Sequence, residues 1–425
     1  MKVLYIDNFR GFEKTFLSLE EVNFFVGENS TGKTSLLKLI GIISSAGFWN
    51  YQQFNNSEID LGTFSDIVSS NSQKEFFEIG ILETTKDKAL SAIKLKFIEQ
   101  NNYPHIKEIC LLNENLNIQC TIEGNFLKYR YEEVNFDSIK DKKKYFQGWV
   151  EKNTLQSMVF QRSEIEFIGI KSILFQLQSL ISEKVKSLKT SIPPFLNDIA
   201  WFAPVRAQPV KTYDNYLFSF QSDGIHAPYV LKEILNDDNT GVRYILTRYG
   251  KDSGIFDDIH VNRLGDDPTK NDPFEILITL NNQTINIVNV GYGVSQILPL
   301  LIEIIARPLE TWFAIQQPEI HLHPRAQAAF GDFMYKSNDS DGHKFIVETH
   351  SDYTIDRFRL RLNRGFQEDS TKNSQSRSQV VFFRRNERGN FLETININAD
   401  GSYSDEQPEE FRGFFIREQL ELITI

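Results

Sequence analysis

The spacing of apolar residues changes along the chain, and each spacing predicts a different kind of element. Residues 75–131 contain short segments in which apolar and polar positions alternate, such as 92–97 and 126–131. This period of two predicts half-buried antiparallel strands, and the Asn-rich breaks between them predict hairpin turns. Further on, apolar positions recur every three or four residues, which predicts helices across about 140–158 and across 173–188.

The residues before 75 and after 188 also contain apolar segments that predict strands. Residues 2–6 and 16–19 predict two strands around a turn, and the apolar run 22–26 predicts a third strand. Residues 236–273 are polar and interrupted by Gly and Pro, so we expect only short elements there. Residues 272–290 predict two further strands.

The C-terminal region starts with a polar tract, which is followed by segments with the patterns of strands and a helix. Residues 367–379 are almost wholly polar, so we expect a mobile loop, and 380–383 with 391–398 predict a hairpin before a last helix that starts near Pro408. The whole pattern predicts an α/β chain in four parts. These parts are an N-terminal lobe with an antiparallel β layer (1–135), a helical insertion (136–196), a C-terminal lobe (197–399) and a tail (400–425).

Composition narrows the class of protein. The 425 residues include 46 Lys and Arg against 57 Asp and Glu, a formal net charge of −11, which does not favour a protein that holds duplex DNA by its phosphates. The run with Lys140 and 142–144 is interpreted as a solvated helix start. No apolar run reaches membrane-spanning length, and Cys110 and Cys120 fit a reducing compartment. We therefore expect a cytoplasmic protein with no membrane partner.

The segment Gly27–Thr34 has the spacing G-x-x-x-x-G-K-T, and it lies between a predicted strand and a predicted helix. This is the arrangement of a phosphate-binding loop, in which glycines and backbone N–H groups surround a phosphate. Lys33 would contact the β- and γ-phosphates of ATP, and the Thr34 hydroxyl would ligate Mg²⁺. The residues predicted to bind the nucleotide here are Asn29, Ser30, Thr31, Gly32, Lys33, Thr34 and Ser35.

Three stretches in the second half carry further candidates. Val290–Gln296 places Gly291, Gly293 and Ser295 before an apolar helix, where backbone N–H groups can face an anion. Residues 311–324 form an apolar strand that ends in Gln316-Gln317-Pro318-Glu319. His321 and His323 follow, but no nearby Cys or third His supports a zinc site. Residues 344–352 form another apolar strand, which ends at His350.

In order and spacing, these motifs resemble those of the bacterial ABC-type ATPases related to the OLD, RecF and SMC heads. Within that class they resemble the AAA family ATPases of antiphage systems such as Septu, PARIS and retron-associated systems. The motifs are the phosphate loop, V-G-Y-G-V-S-Q, Q-P-E-I-H-L-H-P and E-T-H-S-D, and Arg412-Gly413-Phe414-Phe415 resembles part of the family's short tail. The resemblance implies an ABC/SMC-head-like α/β fold with a mixed central sheet, an antiparallel β layer and a short helical insertion. No Toprim cluster is recognised.

The resemblance also implies a mechanism. Two heads would enclose two ATP molecules with Mg²⁺, each held by the phosphate loop of one subunit and by Gly291–Ser295 of the other. His350 would be the switch histidine that senses the γ-phosphate, and residues 321–324 would form a subunit contact. Independently of the resemblance, Arg10 lies in the predicted turn between the two strands before the loop, where it would either reach the nucleotide or be an ordinary surface arginine.

One departure from the family concerns two acidic positions. Where the general family has an acid that holds Mg²⁺ through water and an acid that polarises the attacking water, this chain has Gln316 and Gln317. In the closest group the second position is commonly Gln. Glu319 is the carboxylate left in this segment, so either hydrolysis proceeds slowly through Glu319, or Gln316, at the metal position, traps the ATP-bound state. The residues named for catalysis are therefore Gln316, Gln317, Glu319 and His350.

Three functions remain open on these grounds. The first is an ATP-driven switch in an antiphage complex, which would dimerise and control a separate effector such as a nuclease. The second is a RecF-like ATPase that binds DNA or DNA ends, and the third is a scaffold that binds ATP without turnover.

Overall fold

The computed structural model describes fourteen stretches of the chain, which divide into two compact units. The described residues are 1–84, 90–113, 116–134, 139, 141–152, 160–165, 169–182, 195–196, 199–214, 217, 219–236, 240–265, 272–368 and 377–415. The first unit comprises Met1–Glu20, Glu28–Asp198 and Phe383–Leu392, and the second comprises Glu21–Gly27, Ile199–Phe382 and Glu393–Ile425. Strand β3, which ends at Gly27, thus belongs to the second unit, and the residues of the phosphate loop from Glu28 onwards belong to the first.

The strands follow one another along the chain in this order: β1 Lys2–Asp7, β2 Thr15–Leu19, β3 Val22–Gly27, β4 Phe76–Thr84, β5 Leu90–Gln100, β6 Tyr103–Leu112, β7 Leu116–Glu123, β8 Phe126–Glu133, β9 Gln161–Glu164, β10 Ala200–Phe202, β11 Asp258–Arg263, β12 Phe274–Leu280, β13 Gln283–Asn286, β14 Trp312–Gln316, β15 Lys344–Glu348, β16 Ser378–Asn386 and β17 Gly389–Ile397. The helices are α1 Lys33–Ile43, α2 Ala46–Tyr51, α3 Phe64–Ile67, α4 Lys142–Lys152, α5 Ile170–Ser182, α6 Ala227–Asn236, α7 Thr240–Ser253, α8 Tyr292–Ala306, α9 Pro324–Asp341, α10 Asp352–Glu368 and α11 Glu409–Phe414. A short 3₁₀ turn covers Ile287–Asn289.

The first unit is built on an eight-stranded antiparallel sheet with the order β2-β1-β4-β5-β6-β7-β8-β9. The alternating residues of its strands place one side chain in two in the core, as in β8, where Leu127 and Tyr129 are buried. Helix α4 covers part of the sheet with Phe146 and Trp149, which pack in a cluster with Tyr5.

The second unit contains a six-stranded sheet with the order β10-β14-β15-β3-β16-β17. Strands β10, β14, β15 and β3 are parallel, whereas β16 and β17 are joined by a two-residue turn and run antiparallel, so the sheet is mixed. The inner strands are almost fully buried, as their continuous apolar runs require in a sheet covered on both faces. A three-stranded sheet, β11-β12-β13, completes this unit.

The structure confirms the predicted fold class, an α/β fold with a mixed sheet and an antiparallel layer, and most of the predicted elements. The insertion is less helical than expected, because β9 lies between α4 and α5 and extends the antiparallel sheet. Within the predicted helices, 153–158 and 183–188 lie outside the described residues, as does most of the expected mobile loop, 369–376. The division into four parts stays a prediction.

The expectation of only short elements across 236–273 was wrong. Helix α7 has 14 residues, and its apolar side chains Val242, Leu246 and Tyr249 are spaced by four and three. With Ile245 they recur at the spacing of an amphipathic helix, so the helical period was present in the sequence, and the prediction gave more weight to the Gly, Pro and polar residues of the surrounding region. Within the described part of the chain, every helix is too short or too polar to span a bilayer.

Candidate nucleotide-binding site

The phosphate loop adopts a conformation that only some residues tolerate. Gly27, Ser30 and Gly32 have φ values of 148°, 62° and 93°, all in the region that favours glycine. Helix α1 starts directly after Gly32, whose carbonyl accepts the Leu36 N–H at 2.9 Å. Left-handed residues before a helix N-terminus turn successive N–H groups towards one point, which makes an anion-binding concavity.

Two side chains within the loop donate to a single backbone oxygen. Lys33 Nζ lies 2.7 Å and Thr31 Oγ1 lies 2.8 Å from the Glu28 carbonyl, and Lys33 is only 4% exposed. The ammonium is therefore held against the loop rather than in solvent. Backbone donors and a buried ammonium in one loop fit a polyphosphate, since both supply positive charge to an anion.

Gly32 is enclosed by two residues that the sequence analysis did not connect with the loop. A Cβ at this position would lie 2.5 Å from Phe12 Cε2 and 3.1 Å from Asn390 Nδ2. Asn390 also donates through Nδ2 to the Arg10 carbonyl at 2.9 Å, and its backbone N–H donates to Gly11. Strand β17 thus supports the loop within the first unit.

Arg10 lies beside the loop helix. Its Nη1 donates to Ser35 Oγ at 3.3 Å, and its Nε and Nη2 donate to the carbonyls of Asp66 and Leu61. Burial lowers the pKa of the Arg10 guanidinium. These contacts fix the guanidinium next to the first turn of α1, and a contact with nucleotide stays a prediction.

We expect Gly32→Ala to weaken ATP binding by about tenfold or more. The new methyl group would meet the Phe12 ring, and an L-residue at a φ of 93° is strained by about 1–3 kcal/mol, so the loop would leave its conformation. Calorimetric titration with ATPγS measures the affinity. Gly148→Ala is the matched control, because Gly148 has open space around its Cβ position. Equal affinity of the two variants would contradict the assigned role of Gly32.

In the second unit, the N-terminus of α8 is exposed. Gly291 caps the helix with a φ of −55°, has open space around its Cβ position and lies at the surface with Tyr292. Ser295 is buried, and its Oγ donates to the Tyr292 carbonyl at 2.8 Å, so its predicted role in nucleotide binding stays a prediction. Gly293 packs closely against the next motif, since a Cβ there would lie 2.9 Å from the His321 oxygen.

The carboxyl ends of β14 and β15 bring several of the predicted catalytic residues together. Gln316 and Glu348 are paired in register on these parallel strands, and both are buried. Gln317 follows with a φ of 44°, and its N–H donates to the Glu348 carbonyl at 2.8 Å. The chain therefore turns sharply here, and the turn places Glu319 beside the residues that follow β15. We call residues 316–319 the acid turn.

The Glu319 carboxylate is held by two donors from beyond β15. Thr349 Oγ1 donates to Oε2 at 2.9 Å and the His350 N–H donates to Oε1 at 2.7 Å. Burial raises the pKa of Glu319 and Glu348 raises it further, whereas the two donors lower it, and the balance is a raised value. His350 itself is exposed. A held carboxylate with a raised pKa is a stronger base than an ordinary glutamate, which suits it to accept a proton from water.

Arg206 lies at the same strand ends, and no sequence motif had pointed to it. It is 2% exposed, its Nη1 donates to the Pro204 carbonyl at 2.9 Å, and its Nη2 donates to the Gln316 carbonyl at 3.3 Å. Burial lowers its pKa to about 10, while the charge of Glu319 acts in the opposite direction. The sequence offered one signal for Arg206: it follows the short apolar strand β10, and polar residues after the carboxyl ends of parallel strands often contribute to binding sites.

Comparison with protein families matches residues 1–355 to the AAA ATPase domain. The chain belongs to this family. Because the match covers most of the chain, this AAA ATPase is a P-loop protein that acts on ATP.

Comparisons with solved structures found SMC heads and RecF among the similar chains. An SMC head bound to the C-terminal winged-helix domain of ScpA shares 10% identity at a TM-score of 0.46, with 93% of this chain and 97% of that chain covered. The SMC head domain of Thermotoga maritima shares 10% identity at a TM-score of 0.40, with 92% of this chain and 97% of that chain covered. RecF with ATPγS shares 12% identity at a TM-score of 0.32, with the same two coverages. Among curated proteins, none matched. Overlaps this loose carry no residue roles to the AAA ATPase.

The donor atoms of the ATPase can be tested against Mg²⁺, which prefers oxygen ligands. Each unit offers one predicted ligand, the Thr34 hydroxyl in the first and the Gln316 amide oxygen in the second. Both ligands would coordinate through oxygen, the type of atom that Mg²⁺ prefers, but both are neutral groups. Among the described residues, no group of three or more His, Cys, Asp or Glu side chains is arranged to hold a metal ion. ATP would bring the missing charge with its own phosphates.

Proposed function

We propose that this AAA ATPase is an ATP-driven switch that dimerises head to head and controls a separate effector. The observation that carries the proposal is an exposed patch in the second unit, formed by Gly291, Tyr292, His321 and His323. Here the cap of α8 lies beside the turn after Glu319, with the Tyr292 and His321 rings 4.7 Å apart. Both predicted subunit-contact motifs therefore face solvent together, where a second copy could bind.

The residues have distinct tasks in this proposal. Lys33 and the N–H groups of its loop bind the phosphates of ATP, and the exposed N-terminus of α8 binds the γ-phosphate held by the partner. Glu319 accepts the proton of the attacking water, and His350 senses the γ-phosphate. Mg²⁺ would neutralise the phosphate charge, with Thr34 and Gln316 as its predicted protein ligands.

In this proposal, Gln316 at the metal position is the main cause of slow hydrolysis. Gln316 and Gln317 keep the size and hydrogen bonding of the family's acids but remove both charges. The ATP-bound dimer would then persist, and hydrolysis through Glu319 would be slow. A scaffold that uses ATP only to hold the assembly is the second candidate, and the same pair of glutamines favours it.

The nature of the effector rests on the resemblance to antiphage ATPases. In that class the ATPase works with another polypeptide, often a nuclease, which it restrains or activates. We infer the same arrangement here, with infection as the trigger and the ATP-bound dimer as the signal.

We expect Gly291→Glu to abolish ATP-dependent dimerisation. The backbone of Gly291 accepts any residue and the Cβ position is open, so the fold should persist, but the added carboxylate would repel the partner's γ-phosphate. Sedimentation velocity with Mg²⁺ and ATPγS measures the dimer. Gly148→Glu, another open position, is the control.

Mixing variants tests the head-to-head geometry directly. Lys33→Ala disables a subunit's own loop and Gly291→Glu disables its contribution to the partner's site. In a mixed dimer, one of the two ATP sites combines the intact loop of the Gly291→Glu subunit with the intact α8 N-terminus of the Lys33→Ala subunit. Mixing should therefore restore dimers that neither variant forms alone. If Gly291→Glu dimerises like the parent protein, or if mixing restores nothing, the proposed arrangement is wrong.

A further inference from the structure

The side-chain amide of Gln327, near the N-terminus of α9, joins two segments of the second unit. Its Nε2 donates to the Leu322 carbonyl at 2.7 Å, and its Oε1 accepts from Ser351 Oγ at 2.7 Å. Leu322 lies between His321 and His323 of the exposed patch, and Ser351 lies between β15 and α10. Both ends of one amide are therefore used, and they connect the predicted subunit contact to the segment after β15.

These two bonds complete a closed ring of hydrogen bonds that begins and ends at Glu319. The Leu322 N–H donates to the Glu319 backbone carbonyl at 3.0 Å, and the Leu322 carbonyl is held by Gln327. On the other side, the Ser351 N–H donates to Thr349 Oγ1 at 3.0 Å, and Thr349 Oγ1 donates to Glu319 Oε2. Thr349 and Ser351 are 0% and 4% exposed, so water competes little for these bonds. The ring thus connects the backbone of Glu319 with its carboxylate.

The partners of Gln327 also fix which way its amide faces. The Leu322 carbonyl is only an acceptor, so it requires the NH₂ end of the amide. Ser351 Oγ accepts the Thr354 N–H at 3.1 Å, and its own proton is left for the amide oxygen. Thr354 Oγ1 in addition donates to the Gln327 backbone carbonyl at 3.1 Å. Gln327 therefore has one orientation in which each of these groups is satisfied.

We propose that Gln327 is a positioning residue through which the predicted subunit contact and the Glu319 carboxylate move together. The inference rests on the proposed function, since it takes residues 321–323 as a contact with the second copy and Glu319 as the proton acceptor. A shift of the contact segment would displace the Leu322 carbonyl, and Gln327 would transmit that shift to Ser351 and onward to Glu319. Gln327 contacts neither ATP nor the attacking water in this role.

Hydrogen–deuterium exchange of the full chain without nucleotide tests the link itself. Gln327→Met keeps the length of the side chain but removes the amide, so we expect the exchange of residues 349–354 to rise about 2- to 10-fold. Arg325→Met is the matched control. Arg325 lies in the same turn of α9 and likewise donates twice to backbone carbonyls, but these belong to α7 and not to the ring. This control should leave the exchange of 349–354 unchanged.

Hydrolysis separates positioning from a purely structural role. Gln327→Met and Ser351→Ala should each lower kcat about 10-fold or more and change the KM for ATP by less than about twofold, since both displace Glu319 without touching the nucleotide. The double variant should lose no more than the weaker of the two single variants, because both changes break the same link. Ser351→Thr keeps the hydroxyl and should retain the parent kcat.

The ATPγS-bound dimer shows whether the contact is transmitted. In the parent chain, dimer formation should slow exchange both at 320–323 and at 349–354, whereas in Gln327→Met it should slow exchange only at 320–323. Three results would overturn the inference: parent-level exchange of 349–354 in Gln327→Met without nucleotide, an equal rise in Arg325→Met, or protection that reaches both segments in the Gln327→Met dimer. A parent chain that forms no dimer with Mg²⁺ and ATPγS would overturn the proposed switch, while the exchange without nucleotide would still decide the link through Gln327.

Discussion

Gln316→Glu should raise the rate of ATP hydrolysis by about 10²-fold or more. The change returns a carboxylate to the carboxyl end of β14, where the resemblance implies the metal-binding acid. Position 316 is buried and next to Glu348 in register, and the Gln316 carbonyl is already held by Arg206. A carboxylate here would add negative charge towards Mg²⁺ without altering the length or path of the strand. Well-placed acid–base and metal-binding groups contribute about 10²–10⁴-fold each.

The same change should lower the stability of the protein in the absence of nucleotide. Two buried carboxylates would then lie side by side on β14 and β15, and like charges on neighbouring strands repel. Mg²⁺ with ATP should offset this repulsion, so the ligand-induced rise in Tm should exceed that of the parent protein. Steady-state hydrolysis and thermal unfolding with and without Mg²⁺-ATP measure the two effects.

Gln317→Glu is the matched control for position 316. It adds the same charge one residue later, but Gln317 lies in a left-handed turn and is only half-buried. We expect a much smaller gain there, since Glu319 already accepts the proton in our proposal. Unchanged turnover in Gln316→Glu would exclude Gln316 as the cause of slow hydrolysis and would favour the scaffold.

Many strands and helices of this fold could be predicted from the sequence, because the spacing of apolar residues within one short segment is enough to indicate them. Alternation across 75–131 became β4–β8, and the phosphate loop lies between β3 and α1 because its motif and its flanking apolar runs occupy one short stretch. Helix α7 was missed although Val242, Leu246 and Tyr249 recur at helical spacing, because the Gly, Pro and polar residues across 236–273 outweighed this short period in the prediction.

The candidate site was harder to predict because several of its contacts join distant residues. Asn390 reaches the Arg10 carbonyl across 380 positions, and Arg206 reaches the Gln316 carbonyl across 110. Glu348 becomes a neighbour of Gln316 only through the order of strands in the sheet. Short sequence motifs identified the candidate residues that lie within them. The partners of those residues are brought close only by tertiary packing, which leaves no pattern in the sequence.

Glu319→Gln should abolish the remaining hydrolysis, with a loss of about 10²–10⁴-fold, and should prolong the life of the ATP-bound dimer. Glu319 is the carboxylate of the acid turn, and an amide cannot take up the proton of the attacking water. Lys33→Ala gives the contrasting control, since it should lose both hydrolysis and the dimer. If Glu319→Gln hydrolysed ATP at the parent rate, another group would have to be the base.

The pH dependence of the parent enzyme provides an independent check on Glu319. Its pKa is raised by burial and by Glu348, and only the ionised form accepts a proton. The rate should therefore fall as pH drops through a window above the pKa of an ordinary glutamate, and it should recover fully on return to higher pH. Glu319→Gln should remove this acid limb from any residual activity, because no carboxyl then titrates in the turn. An acid limb that survives the substitution would assign the titration to a different group, and Glu348, the other buried carboxylate at this edge of the sheet, would be the next to replace.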